Sequence, residues 1–260
     1  MVPCNPPQGR HCDHDAPFAP RGMVRDSEGR LFVANMGRSN ANKFIENGSV
    51  AEFDERGTFL GKVDFGDFQG DDGWYHPRAV VFGPDGKLYV SVTGKIDAPD
   101  DPTAPNSGPR AGYILRFENG KPFQLFSSSQ HGCPDLHRPE GLTFGPDGKL
   151  YVTSLRAGAT DTDKIVVLEA DGSCPSSNNI VLDRVGGDRA VALALIFGPG
   201  GDLFVPITDS QITSIYAGEI RRYNVRSKQF KSFVPARGPI GEPWYLTFGK
   251  TDPGTLAYLP

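Results

Sequence analysis

The sequence predicts an all-β chain folded as a β-propeller, and three observations predict it. One segment recurs five times along the 260 residues. Glycine (32) and proline (23) are abundant while hydrophobic residues make up 38%, a balance that suits many short strands joined by tight turns rather than long helices. Val, Ile, Leu, Phe and Tyr arrive in regular short clusters, which a disordered chain lacks. A chain of this length buries a sizeable core within one domain.

The repeat comes first because it fixes the architecture. Pro20-Arg-Gly-Met-Val-Arg-Asp-Ser-Glu-Gly-Arg-Leu-Phe-Val33 aligns with Pro77-Arg-Ala-Val-Val-Phe-Gly-Pro-Asp-Gly-Lys-Leu-Tyr-Val90 and with Pro139-Glu-Gly-Leu-Thr-Phe-Gly-Pro-Asp-Gly-Lys-Leu-Tyr-Val152. A fourth copy is Leu195-Ile-Phe-Gly-Pro-Gly-Gly-Asp-Leu-Phe-Val205, and a weaker fifth is Pro243-Trp-Tyr-Leu-Thr-Phe-Gly249 followed by Gly254-Thr-Leu-Ala-Tyr258. The shared glycine stands at 29, 86, 148, 201 and 254, a period of 53 to 62 residues, in or just above the range of propeller blades.

Each repeat reads as four strands. Two apolar runs flank a Pro-Asp-Gly turn, whose Asp tolerates left-handed geometry and whose Gly supplies positive φ. A variable loop follows, then a third strand such as Tyr113–Phe117 or Lys164–Leu168, a turn, and a fourth such as Phe59–Val63. Such sheets cover their apolar faces only by packing radially. The expected organisation is an N-terminal segment over 1–19 and a propeller over 20–260, with blades near 20–75, 76–136, 137–188, 189–240 and 241–260. The fifth repeat supplies only inner strands. Closure therefore falls to an irregular 1–17 segment, to an open disc, or to a shortened version of a longer propeller.

Charge and hydropathy exclude several partners. A net charge of −4 with both signs interspersed gives no case for nucleic acid. No run approaches the roughly 20 apolar residues that span a bilayer. The first residues show no signal peptide. Pro/Gly-rich loops with few Lys lean toward an extracellular setting, and oligomeric state is not legible.

The Pro-x-Gly and Pro-Asp-Gly-x-Leu-Tyr-Val elements over 20–258 resemble the NHL repeat and its relatives in the SMP-30/gluconolactonase superfamily. That resemblance implies a six-bladed-type propeller. In its Ca²⁺-dependent hydrolases it also implies a metal held on the axis by one Glu, two Asn and one Asp. The matching positions here are Arg21, Arg78, Glu140, roughly Leu193, and Trp244. Of these only Glu140 suits a cation.

Loop lengths point to a working face. First-to-second and third-to-fourth turns are short, whereas second-to-third and blade-to-blade connections are long and share the opposite face. They carry Arg38, Asn40 and Asn42; the 94–111 insert; Arg156, Asp161 and Asp163; Asp209 and Gln211; and Asp71, Asp72 and Trp74. Variable loops on a rigid scaffold are where binding residues concentrate, so a small molecule or a protein is expected on this face and its axial channel.

All five histidines (His11, His14, His76, His131 and His137) fall outside predicted strands. His76 and His137 precede inner strands at matching places. With His11 or His14 they form a candidate Zn²⁺ set, or they are loop histidines bonded to backbone or water. The peptidylglycine-cleaving zinc lyase, also NHL-like, places its histidines after the repeat proline, whereas these precede it. Arg21, Arg78 and Glu140 head consecutive inner strands. Either they grip a carboxylate or phosphate, or Arg78 and Glu140 pair internally. Trp244 and Tyr245 are an aromatic wall or strand packing. No nucleophile elbow, Walker loop, Cys-x-x-Cys or His-Glu-x-x-His motif occurs.

Three functions follow in order. The first is ligand binding, with Arg21, Arg78, Glu140, Arg156, Asp209 and Trp244 as candidates. The second is a metal-dependent hydrolase or lactonase using Ca²⁺ held by Glu140, Asp161 or Asp163. The third is a Zn²⁺ lyase using His76, His137 and His11 or His14. For the four cysteines, Cys4–Cys12 and Cys12–Cys133 are open pairings. The blade assignment puts Cys133 and Cys174 on opposite faces, separated by roughly 15 Å of strand. That excludes a bridge needing Cα atoms within about 7 Å.

Overall fold

In the computed structural model the described residues are 19–37, 39–40, 43–44, 46–70, 73–94, 111–118, 123–158, 160–182, 189–208, 218–236, 238 and 240–260. The 1–18 segment, most of the 94–111 insert, His11, His14, Asp209, Cys4 and Cys12 lie outside them. Blade 1 begins with β1 (Pro20–Arg25) and β2 (Leu31–Asn35). A two-stranded ribbon, β3 (Ser39–Asn40) and β4 (Lys43–Phe44), precedes β5 (Ser49–Phe53) and β6 (Phe59–Lys62). Blade 2 holds β7 (His76–Phe82), β8 (Leu88–Thr93), β9 (Gly112–Phe117) and β10 (Gln124–Ser128). Blade 3 holds β11 (Pro139–Phe144), β12 (Leu150–Ser154), β13 (Lys164–Leu168) and β14 (Ile180–Val181). Blade 4 holds β15 (Ile196–Phe197), β16 (Leu203–Ile207), β17 (Glu219–Tyr223) and β18 (Phe230–Val234). Each blade is a four-stranded antiparallel sheet in chain order, and the first strands β1, β7, β11 and β15 neighbour one another around an axis. The fold is a β-propeller.

The Pro-Asp-Gly turn explains its own sequence. Gly86 and Gly148 take φ near +73° and +79°, a conformation that costs Gly nothing. Asp85 and Asp147 each accept the backbone N–H two residues on through Oδ1. Through Oδ2 they accept the hydroxyl of Tyr89 (3.0 Å) and Tyr151 (2.9 Å). The Asp is thus a turn former, as expected, and also the anchor of the Tyr in Leu-Tyr-Val.

Those second-strand rings join the blades. Phe32 meets Phe82, Tyr89 meets Phe144, Tyr151 meets Phe197, and Phe204 meets Phe248, all edge-on with centroids 4.9–5.4 Å apart. Each pair contributes roughly 0.5–1.5 kcal/mol beyond its buried area. A Cβ on Gly83, Gly145 or Gly198 would stand 2.5–2.6 Å from the nearest turn or ring atom, so the Gly before each turn makes room for the seam.

The fifth repeat takes the fifth position without becoming a strand. Its residues form a single bridge, Thr251 to Tyr258. Phe248 nevertheless fills the last aromatic seam. Pro243 sits against Gly218 as Pro77 sits against Gly48 and Pro139 against Gly112. Beyond it the chain returns to the first blades: Arg25 N donates to Pro253 O (2.8 Å) and Phe82 N to Gly254 O (3.0 Å). Leu256 packs on the clusters of both blade 1–2 and blade 2–3 cores. Among the described residues no outer strand pairs with the fifth segment.

Sequence reasoning fails at the cysteines. Cys133 and Cys174 form a disulfide with Cα atoms 5.0 Å apart, which also removes a Cys12–Cys133 pairing. The expectation held crossovers to their face of the disc. Instead, residues 129–137 descend along the seam between blades 2 and 3, burying Cys133 and Leu136 completely. The β13–β14 connection reaches round to meet them. Cys174 N donates to Gly132 O, and Asp135 takes both Lys164 Nζ (3.1 Å) and Asn179 Nδ2 (2.8 Å). Replacing both cysteines by Ala should lower unfolding stability by about 2–4 kcal/mol, read from guanidinium midpoints. A double variant as stable as the parent would assign the seam to packing alone.

Candidate functional site

The inner strands place the residue after their proline at a shared irregularity. The register of β1 with β2 shifts between Pro20 and Met23, that of β7 with β8 between Pro77 and Ala79, and that of β11 with β12 between Pro139 and Leu142. A bulge of this kind re-aims a side chain, and Arg21, Arg78 and Glu140 occupy it. Second-strand hydroxyls satisfy the displaced backbone: Ser91 Oγ accepts from Ala79 N and donates to Glu140 O (2.6 Å). Thr153 Oγ1 accepts from Gly141 N (2.8 Å).

Three of the expected residues meet here. Arg78 and Glu140, both buried, approach at 3.6 Å. Met36, absent from the sequence reading, is the hub. Its Sδ takes Arg21 Nε at 3.0 Å and also Arg78 Nη1, and its carbonyl takes His76 Nδ1 at 2.8 Å. Arg21, partly exposed, also lies over the Trp244 ring, 5.8 Å from its centroid. Arg21 forms no ion pair with any carboxylate among the described residues. Tyr245 stands beside it. Burial of its phenol raises the pKa, and the charges of Arg21, Glu140 and Arg78 all reach it. Trp244 and Tyr245 remain about half exposed, so they border the axis rather than pack a core. The arrangement places two guanidinium groups, one carboxylate and two aromatic rings at one end of the axis, a set able to orient a planar anion.

The remaining candidates lie elsewhere. Asp163 is clasped by Arg189 through two bonds of 2.6 and 2.9 Å and takes the backbone N–H of Arg156. Asp161 binds Lys164 Nζ at 2.7 Å and Ala157 N at 2.8 Å, and those contacts hold its pKa below the ordinary carboxylate value against the opposing effect of burial. They form the loop end of blade 3, away from the axis. His137 joins a backbone bridge with Ala111 and bonds Ser154 through its N–H. Among the described residues no three His, Cys, Asp or Glu side chains gather as metal ligands. The missed signals were the hydroxyl that follows Leu-Tyr-Val in two repeats (Ser91, Thr153) and the buried Met that follows β2.

No protein-family model matches the sequence, and no curated protein is similar to it. Solved structures do match. A protein of unknown function from Dyadobacter fermentans DSM 18053 is 12% identical with a TM-score of 0.56, covering 82% of this chain and 68% of its own. The exo-β-1,3-galactanase 1,3Gal43A from Clostridium thermocellum is 14% identical with a TM-score of 0.55, covering 83% of this chain and 48% of its own. A luciferin-regenerating enzyme is 13% identical with a TM-score of 0.55, covering 90% and 80%. At these identities the likeness is one of fold, the β-propeller.

His76 offers a pH test. It is fully buried, and its pKa is lowered to about 4, first by burial and then by the Arg78 charge, against the opposing bond to Met36. An unfolded His titrates near 6.5, so between these values the unfolded chain binds a proton that the native one refuses. Stability is therefore full above about pH 6.5 and falls as pH drops toward 4, by about 3 kcal/mol at most. Urea unfolding from pH 7 to 4.5 should show this fall, and His76→Gln should flatten it. Equal slopes would assign the loss to carboxylates instead.

Proposed function

We propose that this chain is a ligand-binding propeller whose axial end, on the long-loop face, takes a small molecule bearing a carboxylate or similar planar oxyanion. One observation carries the reading: two arginines and one glutamate share the axis, and Arg21 is held by a thioether and an aromatic ring rather than by an acid. With only the Met36 sulfur and the Tyr245 phenol as polar partners among the described residues, this guanidinium has no acid competing for an incoming anion, and charge-assisted bonds are the strong ones. Trp244 and Tyr245 supply a wall for the apolar part of the ligand. Arg78 is balanced by Glu140, a buried pair that fixes the floor of the site.

The repeat supports an NHL/SMP-30-like relationship. That type of scaffold carries binding modules and enzymes alike, and two of the structural neighbours are enzymes by name. A metal-dependent hydrolase or a zinc lyase draws support from no contact among the described residues: Glu140 faces Arg78, Asp161 faces Lys164, and Asp163 faces Arg189. The seam disulfide suits an oxidising compartment, in keeping with an extracellular setting.

Calorimetric titration with acetate, malate, gluconate and indole-3-acetate should show saturable binding by at least one of them, and none by the matching amides. Arg21→Gln keeps the packing on Met36 and Trp244 and should weaken that binding roughly 10- to 100-fold. If no carboxylate binds, or if Arg21→Gln binds as well as the parent, the reading is wrong.

A further inference from the structure

A separate groove crosses the loop end of blade 1. It encloses about 550 Å³, within the range of small-molecule sites, and opens where the β2 and β5 ends meet the crossover after β6. Asn35 and Ser49 are register partners there, so their side chains stand side by side. Asn35 is more than nine-tenths buried. Its Oδ1 accepts from Ala19 N (3.0 Å) and Gly37 N (3.5 Å), which assigns its Nδ2 donors to the other side. Those two donors meet no acceptor among the described residues, and the Ser49 hydroxyl makes no hydrogen bond there either. Asn35 Nδ2 keeps access to the groove, and an amide that faces a groove is a place for a ligand oxygen.

The rest of the lining narrows the chemistry. Glu46, Lys62 and Asp64 border the groove, with both signs present and no excess of positive charge, so an anion is disfavoured. Tyr75 forms one wall, its ring fixed by stacking on Phe65 at 5.4 Å and 26°, and its backbone is tied to Asn47 and Gly48. A ligand with many hydroxyls, each both donor and acceptor, matches the open amide and hydroxyl together and brings no charge of its own into a lining of both signs. One apolar C–H face on that ligand would lie against the ring. We propose that this groove binds a neutral polyhydroxylated molecule of mono- or disaccharide size, independently of the axial site.

Nuclear magnetic resonance tests the proposal on the ¹⁵N-labelled protein. The Asn35 side-chain NH₂ pair gives its own signals, assigned by their loss in Asn35→Asp. Galactose, glucose, maltose and myo-inositol are added up to about 50 mM, enough to register millimolar binding, with citrate and sulfate as charged controls. The expected result is saturable movement of the Asn35 pair and of the Ser49 and Tyr75 amides with at least one neutral probe. Ser49→Trp fills the groove and should abolish the movement, in a variant whose remaining spectrum shows an intact fold, while Arg21→Gln should leave it unchanged. The proposal is overturned if no neutral probe moves the Asn35 pair, if the movement survives Ser49→Trp, or if only the anions saturate.

Discussion

The edge-on aromatic pair at each seam is the contact on which the rest of the molecule depends. A four-stranded blade has two apolar faces and no means of covering both, so its stability is that of its interfaces. Here each interface is set by one ring from a second strand and one Phe at the end of the next inner strand. In three of the four seams the glycine that precedes the turn into the second strand, Gly83, Gly145 or Gly198, is wedged against both rings of the pair, so a side chain there would block their approach. The Tyr members carry a polar end, which the turn aspartate takes up; burial raises their pKa, so the hydroxyl keeps the proton it donates. Turn, seam and core are thus one device repeated around the ring.

Because the seams fix the spacing of the inner strands, they also fix what meets on the axis. Gly22 and Gly141 approach the next inner strand so closely that a Cβ would stand 2.8 Å from a neighbouring Cα. In that narrow space the bulged residues Arg21, Arg78 and Glu140 meet around Met36, and Trp244, 223 positions beyond Arg21, lies against the first of them. Burying Arg78 and Glu140 is costly unless both are satisfied. The Met36 sulfur on Arg78 and the pairing of the two charges answer that need.

Much of this was legible in the sequence, and the part that was not has physical reasons. The repeat of Pro-Asp-Gly and Leu-Tyr-Val gave the four-stranded blades, since turn chemistry and two-residue alternation are local. Arg21, Arg78 and Glu140 share a position in the repeat, and that position explains why Arg21 and Arg78 both reach the Met36 sulfur and Arg78 meets Glu140. Met36 was invisible because its role depends on a sulfur meeting two guanidinium groups from different blades. The Cys133–Cys174 bond was missed because the crossover runs down a seam, a path set by burial of Leu136 rather than by any loop signal. The fifth repeat reads as a strand and is not one: it keeps the Pro and Phe that dock on blade 4, but among the described residues no neighbour supplies a hydrogen-bond ladder. Asp161 and Asp163 read as ligand candidates, yet basic side chains from their own loop and from the next blade surround them.

The disulfide gives the ring a mechanical asymmetry. Blades 2 and 3 are joined by a covalent staple across their outer seam, whereas blades 4 and 1 are joined through a single unpaired segment seated by Pro243 and Phe248. Trp244 and Tyr245, beside Arg21, thus stand on the segment that lacks a ladder among the described residues, whereas Arg78 and Glu140 stand one on each of the two blades that the covalent staple joins.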